Sequence, residues 1–511
     1  MRHFTRIGII AIAAICILLI GCKNAINAPD TTPTTIIDKN QNENYTQQSN
    51  TVPSNQELDT LDNADSLWII TDDCTMVPQI KQIIDHFQAT HKNISIDLQL
   101  LPISSIGNPD NLQARELEIE RIRTAIMAGN GPDIFLMNSC LFNDPKLIPD
   151  PEQSMNNGLF VDISEYYDAD TALEKHKLVT SIMDAGVVDN ARYILPLRFD
   201  FPVAYVDLEQ FELEGGSLEM LDNSLLQFYE NILDTQNEKL ASSVTLSEHV
   251  VRRFPLNFLS KAVDYRSSKI TLSTAELEDF LKSLQTIRNI SIYKNDNWLY
   301  AYNSSLPFVL NSYLIGDGTW FDYQCMYIGR MRDITHNAVF SNLLNKKIEM
   351  IPVKSTDGKI VADITYWGAI GYGCENIPLA YEFLREFLTK EIQWENNSDT
   401  ASLIDYNGWP VYIKGDISIF KDKLTDVLSS IVGGDMQKLV AIKKCQITPN
   451  SLSILDTPVD RAHFATAIEE KIGRNIIPQL TDPNTGDILT ENIYLLVEEW
   501  MHELEWYLAE G

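Results

Sequence analysis

The 511-residue chain lacks the short motifs that identify a catalytic or nucleotide-binding centre. GxSxG, HExxH, the P-loop pattern and GxGxxG are all absent, which removes the usual sequence evidence for a nucleophile elbow, a zincin site or a phosphate-binding loop. Only 8 histidines occur, and His86 and His91 do not have metal-ligand spacing. No catalytic residue, metal or cofactor is predicted, although carboxylate pairs for glycoside hydrolysis could be hidden among the 71 acidic residues.

Cysteine is scarce and scattered. None of the 7 cysteines has CxxC spacing, so neither a disulfide framework nor a zinc site is predicted. Positive charge is also scarce, because 40 basic residues stand against 71 acidic ones and leave a net charge of −31. Such a surface repels nucleic acid and anionic lipid headgroups, which argues against both as partners.

One long apolar run is present, at residues 7–20, and it is too short to cross a bilayer comfortably as a helix. Arg2 and Arg6 precede it, and it ends in Leu19-Ile20-Gly21-Cys22. This arrangement resembles the lipobox of bacterial lipoproteins, which implies cleavage after Gly21 and acylation of Cys22. The resemblance places the protein on the extracytoplasmic face of the cell membrane, held by its N-terminal lipid. A transmembrane helix with a chance cysteine is the alternative.

Residues 23–65 consist mainly of Thr, Asn, Gln, Asp, Pro and Ser. A stretch with so few large apolar residues cannot bury enough surface to offset its ordering entropy, so a disordered tether is predicted. Folded sequence is expected over residues 66–511.

The start of this folded part alternates between strand and helix patterns. A short apolar run at 67–70 precedes a helix pattern from Val77, and residues 94–100 alternate between apolar and polar side chains. A second helix pattern over 115–127 is followed by a strand pattern at 133–137, in which Asp133 precedes four apolar residues. The alternation predicts an α/β fold with a parallel sheet and helices on both faces.

Residues 118–135 resemble the helix–Gly–Pro-Asp–strand passage of family 1 extracellular solute-binding proteins, the substrate-capturing lipoproteins of ABC importers. Further stretches are similar to passages of that family and occur in the same order: 158–163, 193–197, 367–370, 380–384 and 507–510. The resemblance covers most of residues 66–511.

The resemblance implies a two-lobed periplasmic-binding-protein-like fold of class II type, with a cleft between the lobes. It places lobe 1 at about 66–195 with a returning segment near 367–410, and lobe 2 at about 200–365 with C-terminal parts. The implied function is capture of a small solute, an oligosaccharide, for ABC permease subunits, without catalysis. Two alternatives remain open: a tethered extracellular carbohydrate-active enzyme, and a scaffold or sensor lipoprotein that binds a partner protein.

Candidate ligand contacts follow from strand ends and aromatic residues. Parallel strands collect ligands at their carboxyl ends, and sugar rings stack on aromatic side chains. Helix capping is the alternative role for Asp72 and Asp73, and core packing is the alternative for the aromatic residues. For Asp200 the alternatives are a salt bridge to Arg198 and a role in a turn. The predicted ligand-binding residues are Asp72, Asp73, Asn138, Asp200, Trp320, Tyr366, Trp367 and Trp409.

Overall fold

The computed structural model describes a defined set of residues: 66–73, 76–103, 109–139, 145–222, 224, 227–228, 231, 237, 239–240, 244–246, 259, 261–265, 267–290, 325–330, 348–389, 409–410, 458–464 and 493–510. Contacts divide the chain into the units Met1–Leu61 and Asp62–Gly511, and every described residue belongs to the second unit. The signal peptide predicted for residues 1–22 and the tether predicted for 23–65 lie outside the described residues.

The strands run in chain order as follows: β1 (Ser66–Thr71), β2 (Ser95–Leu100), β3 (Ile134–Asn138), β4 (Val187–Val188), β5 (Ala191–Arg192), β6 (Ile194–Asp200), β7 (Pro202–Asp207), β8 (Val244–Leu246), β9 (Val263–Asp264), β10 (Lys269–Ile270), β11 (Met326–Arg330), β12 (Ile348–Pro352), β13 (Val361–Ile370), β14 (Trp409–Pro410) and β15 (Arg461–Phe464).

The helices are α1 (Val77–Thr90), α2 (Pro109–Met127), α3 (Pro151–Asn156), α4 (Ser164–Ala169), α5 (Thr180–Met183), α6 (Leu208–Leu213), α7 (Leu218–Leu221), α8 (Thr274–Ile290), α9 (Ile377–Glu386) and α10 (Ile493–Glu510). Among these helices of the described ranges, none combines the length and the apolar character needed to cross a membrane.

The first sheet has the strand order β14-β6-β13-β3-β1-β2. Strand β1 pairs in parallel with both β2 and β3, which confirms the parallel α/β unit predicted from the sequence. Strand β13 runs antiparallel to β3 and to β6, and β15 pairs in parallel with its first residues. Strands β3 and β6 therefore point the same way, and their carboxyl ends meet the start of β13.

Helix α1 shows why the local sequence folds as it does. Pro78 stands in its first turn, where a missing N–H costs no hydrogen bond. Its buried face consists of Ile80, Ile83, Ile84 and Phe87, which recur at the three- and four-residue spacing of one helix face. This face packs into the hydrophobic core of the first sheet.

The chain leaves the first sheet where β6 ends at Asp200. One residue later it begins β7 in a second, four-stranded sheet of order β12-β7-β11-β8. It returns after β12, because β13 again belongs to the first sheet. The buried apolar residues form two separate clusters, one around each sheet, which we call the first and the second core. Helix α10 packs into the second core through Val497, Trp500 and Leu504.

Candidate functional site

Polar residues converge where the strands of the first sheet meet the crossing to the second sheet. We call this region the carboxyl edge; it comprises residues 71–73 at the end of β1, 138–139 at the end of β3, 198–200 at the end of β6, and 363–366 of β13. Because β1, β3 and β6 are mutually parallel, all three deliver their last residues to the same edge.

A hydrogen-bonded network joins the ends of β1 and β3. The Asp72 carboxylate accepts a bond from the backbone N–H of Asn138 at 2.8 Å, and the side-chain amide of Asn138 donates to the Asp73 carboxylate at 2.8 Å. The structure thus brings together three residues that the sequence places at candidate ligand contacts. Helix α1 begins after Met76 without a side-chain cap, so its capping is not the role of Asp72 or Asp73.

The Asp72 carboxyl group is costly to ionise. Burial raises its pKa from 3.8 to about 7, and the nearby Asp73 acts in the same direction. The bond from the Asn138 N–H and the positive charges of Arg115 and Lys146 oppose this rise. The carboxyl edge therefore holds a group that changes charge near neutral pH.

Tyr366 lies beside this network, opposite Asn138 across the β13–β3 pair. It is fully buried, and its hydroxyl is 3.4 Å from the Thr71 hydroxyl. Burial, followed by the negative charge of Asp73, raises the pKa of Tyr366 well above its ordinary value. The phenol therefore stays neutral, and it contributes a hydroxyl to the network.

Trp367 is packed inside the first core, with 1% of its surface exposed. Its indole N–H donates to the Ser139 hydroxyl at 3.0 Å, and its ring makes edge contacts with Phe160 and Phe464 at centroid distances of 5.8 and 6.0 Å. Core packing, the alternative left open by the sequence, describes this environment. A stacking role for Trp367 stays a prediction, and it requires the ring to become uncovered.

Asp200 is the last residue of β6 and is fully buried. It stands opposite Asp363 on β13, and the Asp363 carboxylate is hydrogen-bonded to Nε2 of His463 at 2.5 Å. A row of two carboxylates and one imidazole thus crosses β6, β13 and β15 beside the chain crossing. The alternative partner of Asp200, Arg198, directs its guanidinium to the Gln79 side chain at 3.3 Å.

The remaining predicted aromatic contacts are Trp409 and Trp320. Trp409 lies in β14, paired with Phe199 of β6, and so is next to Asp200 at the carboxyl edge. Trp320 lies outside the described residues.

Sequence reasoning missed the cationic side of the region. Arg115 of α2 is fully buried and donates to the carbonyl oxygens of Pro145 and Pro102 at 2.8 and 2.9 Å, while its Nη2 atom has no hydrogen-bond partner among the described residues. Its position in a charged helix pattern carries no signal of this burial. Lys146 donates to the Ser139 carbonyl at 3.2 Å.

The arrangement suits recognition by hydrogen bonds. It offers carboxylate, amide and hydroxyl groups held in position by mutual contacts, the kind of polar set that orients a ligand in a concave site. Within the ranges that the structure describes, no group of three or more His, Cys, Asp or Glu side chains is placed to hold a metal ion.

No protein-family model matches the chain, and no curated protein matches it. Solved structures do match the chain. The sugar-binding protein MalE from the phytopathogen Xanthomonas citri is 11% identical, with a TM-score of 0.51, over 87% of this chain and 98% of its own. The galacto-N-biose-/lacto-N-biose I-binding protein of the ABC transporter from Bifidobacterium longum, in complex with lacto-N-biose, is 12% identical, with a TM-score of 0.51, over 88% of this chain and 99% of its own.

At these identities the likeness concerns the fold. Both matches extend over nearly the whole of the known proteins, and the two larger sheets, the two cores and the crossing strands of the described residues agree with this fold. The fold predicted from the sequence is confirmed: the chain has the two-lobed α/β fold of periplasmic-type solute-binding proteins.

Proposed function

We propose that this protein captures a small solute, an oligosaccharide, between its two lobes and delivers it to the permease subunits of an ABC importer. The observation that carries this proposal is the Asp72–Asn138–Asp73 network at the carboxyl edge. In open α/β sheets, ligands bind beyond the carboxyl ends of the strands, and here that edge borders the crossing into the second sheet.

The solute class follows from the chemistry of the edge and from the two similar structures. Carboxylate and amide oxygens accept hydrogen bonds from sugar hydroxyls. One similar protein is described as sugar-binding, and the other was solved with lacto-N-biose. Asp72, Asp73, Asn138 and Asp200 are proposed as polar contacts, directly or by holding their neighbours in place. The proposed aromatic contacts are Trp320, Tyr366, Trp367 and Trp409.

The mechanism is reversible binding, with no bond made or broken in the solute. A ligand that touches both lobes favours the arrangement in which the lobes are together, because it gains contacts there that it lacks when they are apart. The chain is accordingly proposed not to be an enzyme.

Membrane attachment is proposed at Cys22, through the lipobox-like sequence before it. The lipid would hold the protein at the extracytoplasmic face, with residues 23–65 as a flexible tether. Labelling with a radioactive fatty acid is expected to mark the parent protein and not the Cys22→Ser variant. The Cys374→Ser variant, which changes a buried thiol, is the control and should remain labelled. Equal labelling of all three proteins would contradict the anchor.

A thermal-shift screen against oligosaccharides, peptides and polyamines tests the receptor proposal. A solute present at about 100 times its Kd is expected to stabilise the protein by ~2.7 kcal/mol.

For the solute found, Asp73→Asn is expected to weaken binding about tenfold in a calorimetric titration, because a charged acceptor is lost. A tenfold loss corresponds to ~1.4 kcal/mol. Asp85→Asn, on the exposed face of α1, is the matched control and should bind like the parent protein.

The alternatives give different results. Appearance of a shortened sugar during the incubation would favour a tethered carbohydrate-active enzyme. A flat response to all small molecules would contradict the proposal and favour the scaffold or sensor role. A selective response to a peptide or polyamine would support the receptor role and contradict the proposal that the solute is a sugar.

A further inference from the structure

A polar contact joins the two cores away from the strands that carry the chain between them. One side is helix α3, whose Met155 belongs to the first core. The other side is the segment 259–265, whose Leu259, Val263 and Tyr265 belong to the second core. We call this contact the seam; its polar members are Asp150, Glu152 and Asn156 on one side, and Lys261 and Tyr265 on the other.

Three side-chain links cross the seam. The Tyr265 hydroxyl donates to the Asp150 carboxylate. The Asn156 side-chain amide donates to the Tyr265 carbonyl oxygen at 3.3 Å. The Lys261 ammonium group forms an ion pair with Glu152 at 2.6 Å. A single tyrosine is therefore held through both its hydroxyl and its backbone.

Asp150 connects the seam to the structure of α3. Its other carboxylate oxygen caps the helix by accepting from the backbone N–H of Gln153 at 3.0 Å. The residue is 1% exposed, and burial raises the pKa of its carboxyl group from 3.8 to about 6, while the bonds from Tyr265 and Gln153 lower it. A buried carboxylate that loses a donor is left incompletely compensated, which is unfavourable.

The same segment is held again at its beginning. Arg461 of β15 donates to the carbonyl oxygen of Leu259 at 2.9 Å and pairs with Asp357 at 2.8 Å. Since β15 belongs to the first sheet, segment 259–265 contacts first-sheet structure near both of its ends. Seam residues are more than a hundred positions apart in sequence, so these contacts can separate without breaking the chain.

We propose that the seam is a latch between the two lobes: its contacts hold α3 against segment 259–265, and they must separate whenever the lobes move apart there. The crossing strands connect the two lobes covalently. The seam connects them only through side-chain contacts, which can break and re-form. The latch is a property of the folded chain itself and does not depend on which solute binds.

Hydrogen–deuterium exchange of the full-length protein in detergent, without solute, tests the latch. Tyr265→Phe removes only the hydroxyl. It is expected to speed exchange of residues 151–157 on the order of tenfold, because Asp150 loses a donor on the opposite lobe. A change at 151–157 after a substitution at 265 reports opening across the seam, whereas damage around position 265 alone would affect only the segment near it.

A charge exchange provides a second, independent test. Glu152→Lys is expected to speed exchange on both sides of the seam about two- to fivefold, and adding Lys261→Glu should restore the parent rates. Lys282→Glu is the matched control, since Lys282 is as exposed as Lys261, at 53%, and its ion pair with Glu278 lies within α8. Unchanged deuterium exchange at 151–157 in Tyr265→Phe would overturn the latch. It would also be overturned if adding Lys261→Glu to Glu152→Lys did not restore the parent exchange rates.

Discussion

Replacing Trp367 by alanine is expected to lower the free energy of unfolding by about 3–5 kcal/mol, measured from urea unfolding followed by circular dichroism. The ring is 1% exposed and fills the first core beside Phe160 and Phe464, so its removal leaves a cavity in the middle of β13. The indole bond to the Ser139 hydroxyl at 3.0 Å is lost as well.

Two further variants test whether burial of the Trp367 ring accounts for the stability lost in Trp367→Ala. Trp367→Phe should lose less stability, because it retains most of the apolar volume but not the indole N–H. Trp506→Ala, on an exposed position of α10 at 54% exposure, is the control and should change stability by less than about 0.5 kcal/mol. If Trp367→Ala unfolded like the parent protein but bound solute more weakly, the ring would have to lie at the cleft surface.

Asp72→Asn is expected to gain stability relative to the parent protein as the pH rises, by up to ~4 kcal/mol between pH 4 and pH 8. In the folded protein the pKa of Asp72 is raised to about 7, from 3.8. Between these values the folded state binds a proton that the unfolded state has released, so this carboxyl makes the parent protein less stable as the pH rises. Asparagine has no such titration and retains an oxygen that accepts from Asn138.

Urea unfolding of both proteins at several pH values measures this difference. Asp97→Asn, whose carboxyl group is exposed on β2, is the matched control, and its stability should follow that of the parent protein across the range. A constant difference between Asp72→Asn and the parent protein from pH 4 to pH 8 would show that the Asp72 carboxyl is not buried as described.

Local patterns predicted the part of the fold that local physics determines. The alternation of strand and helix between residues 66 and 138 required a parallel sheet, and β1, β2 and β3 form one. The same rule placed Asp72 and Asn138 at strand ends as candidate ligand contacts, and the structure shows that the two residues are hydrogen-bonded to each other. Their role in binding a ligand stays a prediction.

Other features depend on contacts that no local pattern records. All ten residues of β13 are buried, so its sequence does not show which side chains face the cleft and which face the core. Asp363 and His463, and likewise Asp150 and Tyr265, come from segments about a hundred residues apart. Only the folded chain brings such pairs together, and sequence spacing gives no sign of them.

The position of β15 in the first sheet has a consequence for how the protein is made. Residues 361–364 of β13 gain β15 as a second neighbouring strand only when residues 461–464 exist. At about 5–20 residues per second, a ribosome needs roughly 5–20 s to synthesise the intervening hundred residues. The first sheet therefore cannot be completed as its N-terminal strands emerge, and it stays incomplete until most of the chain has been translated.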